Sequence, residues 1–236
     1  MRKLKVASFT PHPDDMEVLA AGTLLKYVEQ GHDVYVVVGT DGRRGRGCLP
    51  EDTTWEQIVE IRKEEARKAC EYLGITPIFL GIEDHRMVED RECYEKIIGV
   101  MEEINPDIVF TCSPNDYHAD HRVMSKLVLD SSWAPVMYME VSGGVDFIPD
   151  YYVDITKHMD TKIKMVNAHK SQFKHDPEES IRVLNRFRGM QCRKEEIKYA
   201  ECFKAFKRFD WVKGYELLPK DDFTLEEKVV PTTERN

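Results

Sequence analysis

Residues 6–17, VASFTPHPDDME, run from a buried-strand pattern straight into one imidazole and three carboxylates. Lys5–Thr10 reads as the strand, and His12, Asp14, Asp15 and Glu17 crowd its carboxyl end. Carboxylates that close repel one another, so either solvent screens them or a cation sits among them. Working outward, strand-like and helix-like patterns alternate. Met16–Gln30 carries Val18, Leu19, Leu24, Leu25 and Val28 at helical spacing, and VYVVVGT (34–40) is a near-continuous apolar strand. A long amphipathic helix follows a Gly/Arg-rich loop, capped by Thr53 or Thr54 and stopped by Gly74. PIFLGI (77–82) is a third strand, Asp90–Ile104 a third helix, PDIVFTCSP (106–114) a fourth strand and Ala119–Asp130 a fourth helix.

Four βα units with right-handed crossovers predict an α/β fold with a Rossmann-like, doubly wound, mostly parallel sheet. Past residue 134 the pattern predicts strands near Val136–Val141 and Tyr151–Ile155, and helices near Lys157–Ser171 and Pro177–Met190. We read one domain over 1–236, a core of 1–133 with a C-terminal α/β extension (134–236) packing on it.

Composition narrows the function classes. The chain has 236 residues, 42% apolar and 33% charged, which suits a globular enzyme and a sizeable core. A net charge of −9 argues against a general nucleic-acid binder, which needs a basic face. Six cysteines without a CxxC pair read as reduced thiols in a cytoplasmic protein, not as a disulfide framework or zinc knuckle. The apolar run after Met1 is too short for a signal segment, and no stretch approaches a membrane span.

In a doubly wound sheet, ligands gather at the carboxyl ends of the strands near the switch in strand order. Two such ends are rich in ligand-type residues: PHPDD after the first strand and SPNDYHADHR (113–122) after the fourth. First and fourth strands are neighbours across the switch point, so His12, Asp15 and His121 can converge as three ligands of a hydrolytic metal with a vacant position. Two plainer readings compete. DDME is also a helix start, with Asp14 as N-cap and Glu17 completing a capping box, and HADH also suits a solvated helix N-terminus. Both clusters falling at matching strand ends favours the metal.

With PHPDD and HADHR in place, the chain resembles the LmbE-like or PIG-L-type zinc deacetylases, which remove acetyl groups from N-acetylglucosamine-containing substrates. GTDG after the second strand, EIRKEEARKACEYLG in the second helix, AHKSQ (168–172) and YAECF (199–203) support the resemblance, which covers about 200 residues. It implies that His12, Asp15 and His121 bind one zinc per chain, or another divalent metal such as Fe2+, that Asp14 is the general base, and that His118 assists the transition state. Arg62 matches a family position that contacts substrate hydroxyls, although a solvated pair with Glu65 fits its spacing equally. His169 falls on a family motif with a structural role.

The chemistry is consistent with those roles. Amide hydrolysis needs an activated water, a stabilised oxyanion and a protonated amine leaving group. His118 sits one helical turn before His121, so both rings project to one side. Asp120 is expected to hydrogen-bond the His118 ring, fixing its tautomer and favouring the imidazolium. Asp84 and His85 end the third strand and line the rim.

One departure stands out. Where the family commonly carries T-x-G-E-x-G, this chain has TDGRRGRG, with Arg43, Arg44 and Arg46. Glycines 42, 45 and 47 are expected to let this loop flex and fold over a bound substrate. Either one arginine clamps a carboxylate or phosphate on the aglycone, or the arginines merely offset an acidic surface. The expected function is N-deacetylation of an N-acetylated amino sugar or a small conjugate, with a homo-oligomer left open. Its rivals are a two-metal phosphoesterase and a non-catalytic Rossmann-like module binding a sugar or nucleotide.

Overall fold

The structure is a computed structural model describing residues 2–140, 146–206 and 214–220. Seven strands form one sheet: β1 (Lys5–Thr10), β2 (Asp33–Thr40), β3 (Ile78–Ile82), β4 (Ile108–Cys112), β5 (Val136–Met139), β6 (Tyr151–Asp154) and β7 (Ala200–Phe206). Their order is β3-β2-β1-β4-β5-β7-β6. The first five are parallel, and only β7 runs against its neighbours. The expected mostly parallel, Rossmann-like sheet is therefore present, with its switch point between β1 and β4.

Both faces of the sheet are covered, which is why the central strands are apolar on both sides. Val6, Val36, Val38, Ile108 and Phe110 face one core with α1 (Asp15–Leu19), α2 (Ala21–Glu29), the end of α3 (Trp55–Glu71) and α6 (Met159–Val166). Ala7, Phe9, Val37 and Val109 face the other, against α4 (Arg91–Ile104) and α5 (Ala119–Ser131). A seventh helix, α7 (Glu178–Gln191), follows in the chain and lies against β7. Thr54 is the cap of α3, in a reciprocal capping box with Gln57.

Three expectations are corrected. The helix over Met16–Gln30 is broken at Ala20 into α1 and α2. The carboxylate of Glu201, on β7, caps the new start by accepting from Gly22 N, Thr23 N and the Thr23 hydroxyl at 3.0, 2.7 and 2.6 Å. The buried Lys162 ammonium neutralises that carboxylate at 2.7 Å. The helix near Lys157–Ser171 is confined to Met159–Val166, and the following turns reach the loop after β2, where Cys48 N donates to Ser171 O. Strand β7 was not anticipated, because Glu201 and Lys204 interrupt its apolar alternation and the partner of Glu201 comes from elsewhere in the chain. Of the strand near Val136–Val141, β5 covers Val136–Met139, and Val141 lies outside the described residues.

Candidate active site

Pairing of Val6 with Ile108 and Phe9 with Thr111 brings the carboxyl ends of β1 and β4 level. His12 leaves β1 through Pro11, whose carbonyl is held by the Thr40 N–H and hydroxyl at 2.7 and 2.8 Å. Asp15 opens α1 and turns back, accepting from His12 N at 2.8 Å. His121 enters from the first turn of α5. The three side chains meet where the sequence placed them. His12 Nδ1 is 3.2 Å from His121 Nε2 and 3.2 Å from Asp15 Oδ2, and His121 Nε2 is 3.2 Å from Asp15 Oδ1.

That spacing is a test for a metal. Ligand atoms at about 2.0–2.1 Å from a tetrahedral ion stand about 3.3 Å apart. The donors also have their far sides held. His121 Nδ1 donates to Asp116 Oδ2 at 2.8 Å, leaving Nε2 as the lone-pair side. His12 Nε2 faces Asp120 Oδ2 at 3.3 Å and Asp84 Oδ1 at 3.4 Å, leaving Nδ1 toward the cluster. Carboxylates behind ligating imidazoles are the usual device for fixing tautomer and raising basicity. The residues fit a divalent cation.

Without a cation the same groups hold protons instead. Burial works to lower the His12 pKa, yet Asp15, Asp120 and Asp84 together raise it well above the usual imidazole range. His121 behaves likewise: burial is overcome chiefly by Asp15, with Asp116 contributing. Burial would raise Asp15, but His121 and His12 hold it well below the ordinary carboxylate range. Burial would raise Asp84 too, and His12 with the Arg44 N–H holds it at about 2. Cys112, at the end of β4 beside His121, has its thiol pushed up by burial, so it sits there as a neutral neighbour.

Asp14 is adjacent to this cluster but turned elsewhere. It occupies the N-cap position of α1 with no side-chain cap bond, and Glu17 faces His169 rather than the helix start, so no capping box forms here. Asp14 Oδ1 meets Arg62 Nη2 at 3.0 Å. Burial raises the Asp14 pKa, with Arg62 opposing. Such a carboxyl is better suited to accept a proton than an exposed one.

Arg62 is 3% exposed and does more than pair with Asp14. Its Nη1 donates to Gly42 O at 3.0 Å and its Nη2 to Pro13 O at 3.3 Å. It ties the loop after β2 to the loop after β1, not to a solvated Glu65. Glu65 instead accepts from Ser171 N and Oγ at 2.7 and 2.6 Å.

Two other expectations change at this point. The Asp120 carboxylate does not go to the His118 ring. It accepts from His85 N at 3.1 Å and faces His12 Nε2, while the Asp120 backbone N–H donates to His118 Nδ1 at 3.2 Å. His118 is thereby the N-cap of α5, and its proton belongs on Nε2. Burial and the neighbouring His12 and His121 lower its pKa, so the neutral ring is favoured over the imidazolium.

The Gly/Arg loop is pinned. A side chain at Gly42, where φ is +67°, would meet the Arg62 guanidinium at 2.8 Å, and one at Gly47, where φ is +54°, would meet Ser171 O at 2.0 Å. These glycines permit close approach, and the loop is also held by Gln172 Nε2 donating to Gly45 O and Cys48 N donating to Ser171 O. Arg43 pairs with Asp41 at 2.7 Å, Arg44 donates through Nε to Asp84 O, and Arg46 binds the carbonyls of Pro50, Glu51 and Thr53. Arg43 and Arg44 also lie over the Trp55 ring, at 5.9 and 5.4 Å.

Asp116 and the Glu65–Ser171 and Glu17–His169 pairs were missed from sequence. Asp116 carried a signal, a carboxylate five residues before a candidate ligand on the loop leading into its helix. The other two join residues more than 100 positions apart and carried none.

The fold and this donor set define a Rossmann-like α/β class of metal-dependent amidohydrolase, with its candidate site at the switch point of the sheet. Residues 7–132 match the family PIG-L: GlcNAc-PI de-N-acetylase, and the chain belongs to it. It is 30% identical to the diacetylchitobiose deacetylase of Thermococcus kodakarensis over 73% of this chain and 71% of that one. It is also 30% identical to the probable N-acetyl-alpha-D-glucosaminyl L-malate deacetylase 2 of Bacillus cereus, over 69% and 80%. Among solved structures, the N,N'-diacetylchitobiose deacetylase from Pyrococcus horikoshii superposes with a TM-score of 0.76 at 26% identity, covering 86% of this chain and 83% of that one. The 4-carboxy-2-hydroxymuconate hydratase from Pseudomonas putida has the same fold, with a TM-score of 0.79 at 23% identity over 88% and 98%. Fold alone therefore does not choose the reaction.

Proposed function

We propose that this chain is a metal-dependent N-deacetylase that hydrolyses the acetamide of an N-acetylglucosamine-type sugar or its small conjugate. The observation that carries the reading is the 3.2 Å triangle of His12, Asp15 and His121 donors, with Asp14 beside it and held out of it by Arg62. The relatives named above as deacetylases support the sugar substrate.

A divalent ion bound by the triangle would lower the pKa of a bound water and polarise the acetamide carbonyl. Two imidazoles and one carboxylate suit zinc, and the same set suits Fe2+. Asp14 takes the proton from the attacking water and passes it to the amide nitrogen as the C–N bond breaks, so that acetate and a free amine leave. Arg62 holds Asp14 in place beside the triangle. His118, with Nδ1 occupied by the Asp120 N–H, presents Nε2–H toward the developing oxyanion. Arg44 stands at the rim, where an aglycone would lie, whereas Asp84, expected there, is buried behind His12. No helix among the described residues is long and apolar enough to cross a membrane, and the six cysteines are unpaired, which supports a cytoplasmic setting.

The test is acetate release from free, phosphorylated and conjugated N-acetyl sugars, before and after metal removal. Release that depends on added metal is expected. Hydration of a dienoate without acetate release from any sugar would overturn the reading.

A further inference from the structure

Tyr117 lies between Asp116 and His118 and takes no part in the chemistry above. The turn that carries it is clamped. Asp116 is buried and accepts from His118 N at 2.9 Å, while Arg122 Nη1 donates to the carbonyls of Asp116 and Tyr117, each at 2.8 Å. Tyr117 itself is 63% exposed, and its hydroxyl makes no hydrogen bond among the described residues.

Single exposed aromatics are ordinary on a protein surface. This one stands against the rings of the candidate site. It is edge-on to His118 with centroids 6.1 Å apart, and tilted against His121 at 6.4 Å. His85 is edge-on to His118 as well, at 5.3 Å. Of these rings the phenol presents the largest apolar face, since each imidazole carries two polar nitrogens. In an N-acetylated amino sugar, the ring carbon that bears the nitrogen lies about 2.4 Å from the reacting carbonyl carbon. With that carbonyl at His118 Nε2, the pyranose ring falls within reach of a platform 6.1 Å from the His118 ring. One face of a pyranose is largely C–H, and the electron-rich face of an aromatic ring attracts it.

We propose that Tyr117 is the stacking platform for the sugar ring of the substrate, and so sets the preference of this site for a cyclic acetamido sugar over an acyclic acetamide. This rests on the deacetylase reading. The clamped turn delivers the phenol already placed, and a tyrosine has few torsions to freeze when a ligand covers it. Stacking is the same before and during hydrolysis. It therefore contributes uniformly to ground state and transition state, and its loss shows in KM rather than in kcat.

The experiment is acetate release from N-acetylglucosamine by the full chain supplied with Zn2+, for wild type, Tyr117→Phe, Tyr117→Leu and Tyr117→Ala. The side chain is exposed, so none of the three burdens the fold. Tyr117→Leu and Tyr117→Ala should raise KM about tenfold with kcat within about twofold of wild type. Tyr117→Phe, which keeps the ring, should restore a KM within about twofold of wild type. N-Acetylethanolamine carries the acetamide without the ring, and its inhibition constant should be alike in all four proteins. A fall in kcat at constant KM would make Tyr117 a support for His118 and overturn the platform. A Tyr117→Phe defect equal to that of Tyr117→Ala would place the role in the hydroxyl and overturn it too, as would an unchanged KM in every variant. In each of these cases acetate is still released and the deacetylase reading stands. No release from any N-acetyl sugar by wild type overturns that reading, and the platform with it.

Discussion

Arg62 Nη2 lies 3.0 Å from Asp14 Oδ1 while the same guanidinium holds the carbonyls of Pro13 and Gly42. One buried cation thus fixes the proposed base and the two loops on either side of it. This pairing keeps Asp14 off the proposed metal-ligand triangle. Asp14→Asn should therefore retain metal, read by elemental analysis, while acetate release falls by about 10²–10⁴-fold. Loss of metal in parallel with activity would make Asp14 a ligand.

Asp116 stands one step behind the proposed ligand His121. Its Oδ2 accepts from His121 Nδ1 at 2.8 Å and its Oδ1 from His118 N at 2.9 Å. Removing such a carboxylate typically lowers metal affinity by about 10–100-fold. Asp116→Asn should show that drop in a competitive chelator titration, with the fold retained by circular dichroism. Unchanged affinity would mean that the His121 tautomer is set by something else.

The Lys162–Glu201 pair lies in the core, at 0% and 1% side-chain exposure, and Glu201 also caps α2. Breaking one side of a buried pair costs about 3–5 kcal/mol, because the other charge is left unmatched. Glu201→Ala should lose stability on that scale in urea unfolding. A loss below about 1 kcal/mol would show that Lys162 finds another partner.

His169 tests the strut beneath the loop. Its Nε2 stands 3.1 Å from Glu17 Oε1 without the alignment of a hydrogen bond, and the contact is electrostatic. Burial lowers the His169 pKa, but Glu17 and Asp14 raise it overall. A raised folded pKa stabilises the protein fully below the unfolded value, about 6.5, and that contribution disappears as pH rises through the folded value. The stability gap between wild type and His169→Gln should therefore be widest below about pH 6 and narrow at alkaline pH. A gap that grows with pH would contradict the pairing.

Strand ends and the convergence of His12, Asp15 and His121 were legible because the pattern is local: PHPDD and HADH each sit within a few residues of an apolar strand, and parallel topology does the rest. The break at Ala20 was not, because the carboxylate that causes it comes from Glu201, about 180 positions away. The role of Asp120 was misread for a similar reason. Its position suggested His118, but the loop after β3 brings the His85 N–H, and the turn after β1 brings His12, to the same oxygen. The loop glycines looked like hinges until Arg62 and Ser171 were seen pressed against them.

The pinned loop sharpens what its arginines can do. Arg46 is spent on three backbone carbonyls, and Arg43 on Asp41, so neither is free to swing onto a ligand without breaking those contacts. Arg44 differs. Its backbone N–H binds Asp84 Oδ2 at 3.0 Å and its Nε the Asp84 carbonyl at 3.1 Å, but its side chain is 37% exposed, and its nearest carboxylate partner, Glu83, is 3.7 Å from Nη2. It therefore stands at the rim with donors in reach of an anionic aglycone, steadied by the Trp55 ring beneath it. Arg44→Ala should raise KM for an anionic N-acetyl sugar conjugate by about tenfold, roughly 1.4 kcal/mol, and leave a matched neutral sugar nearly unchanged. Arg46→Ala should loosen the loop and affect both substrates alike. Equal responses of the two substrates in Arg44→Ala would remove the anion clamp and leave these arginines as struts of the loop.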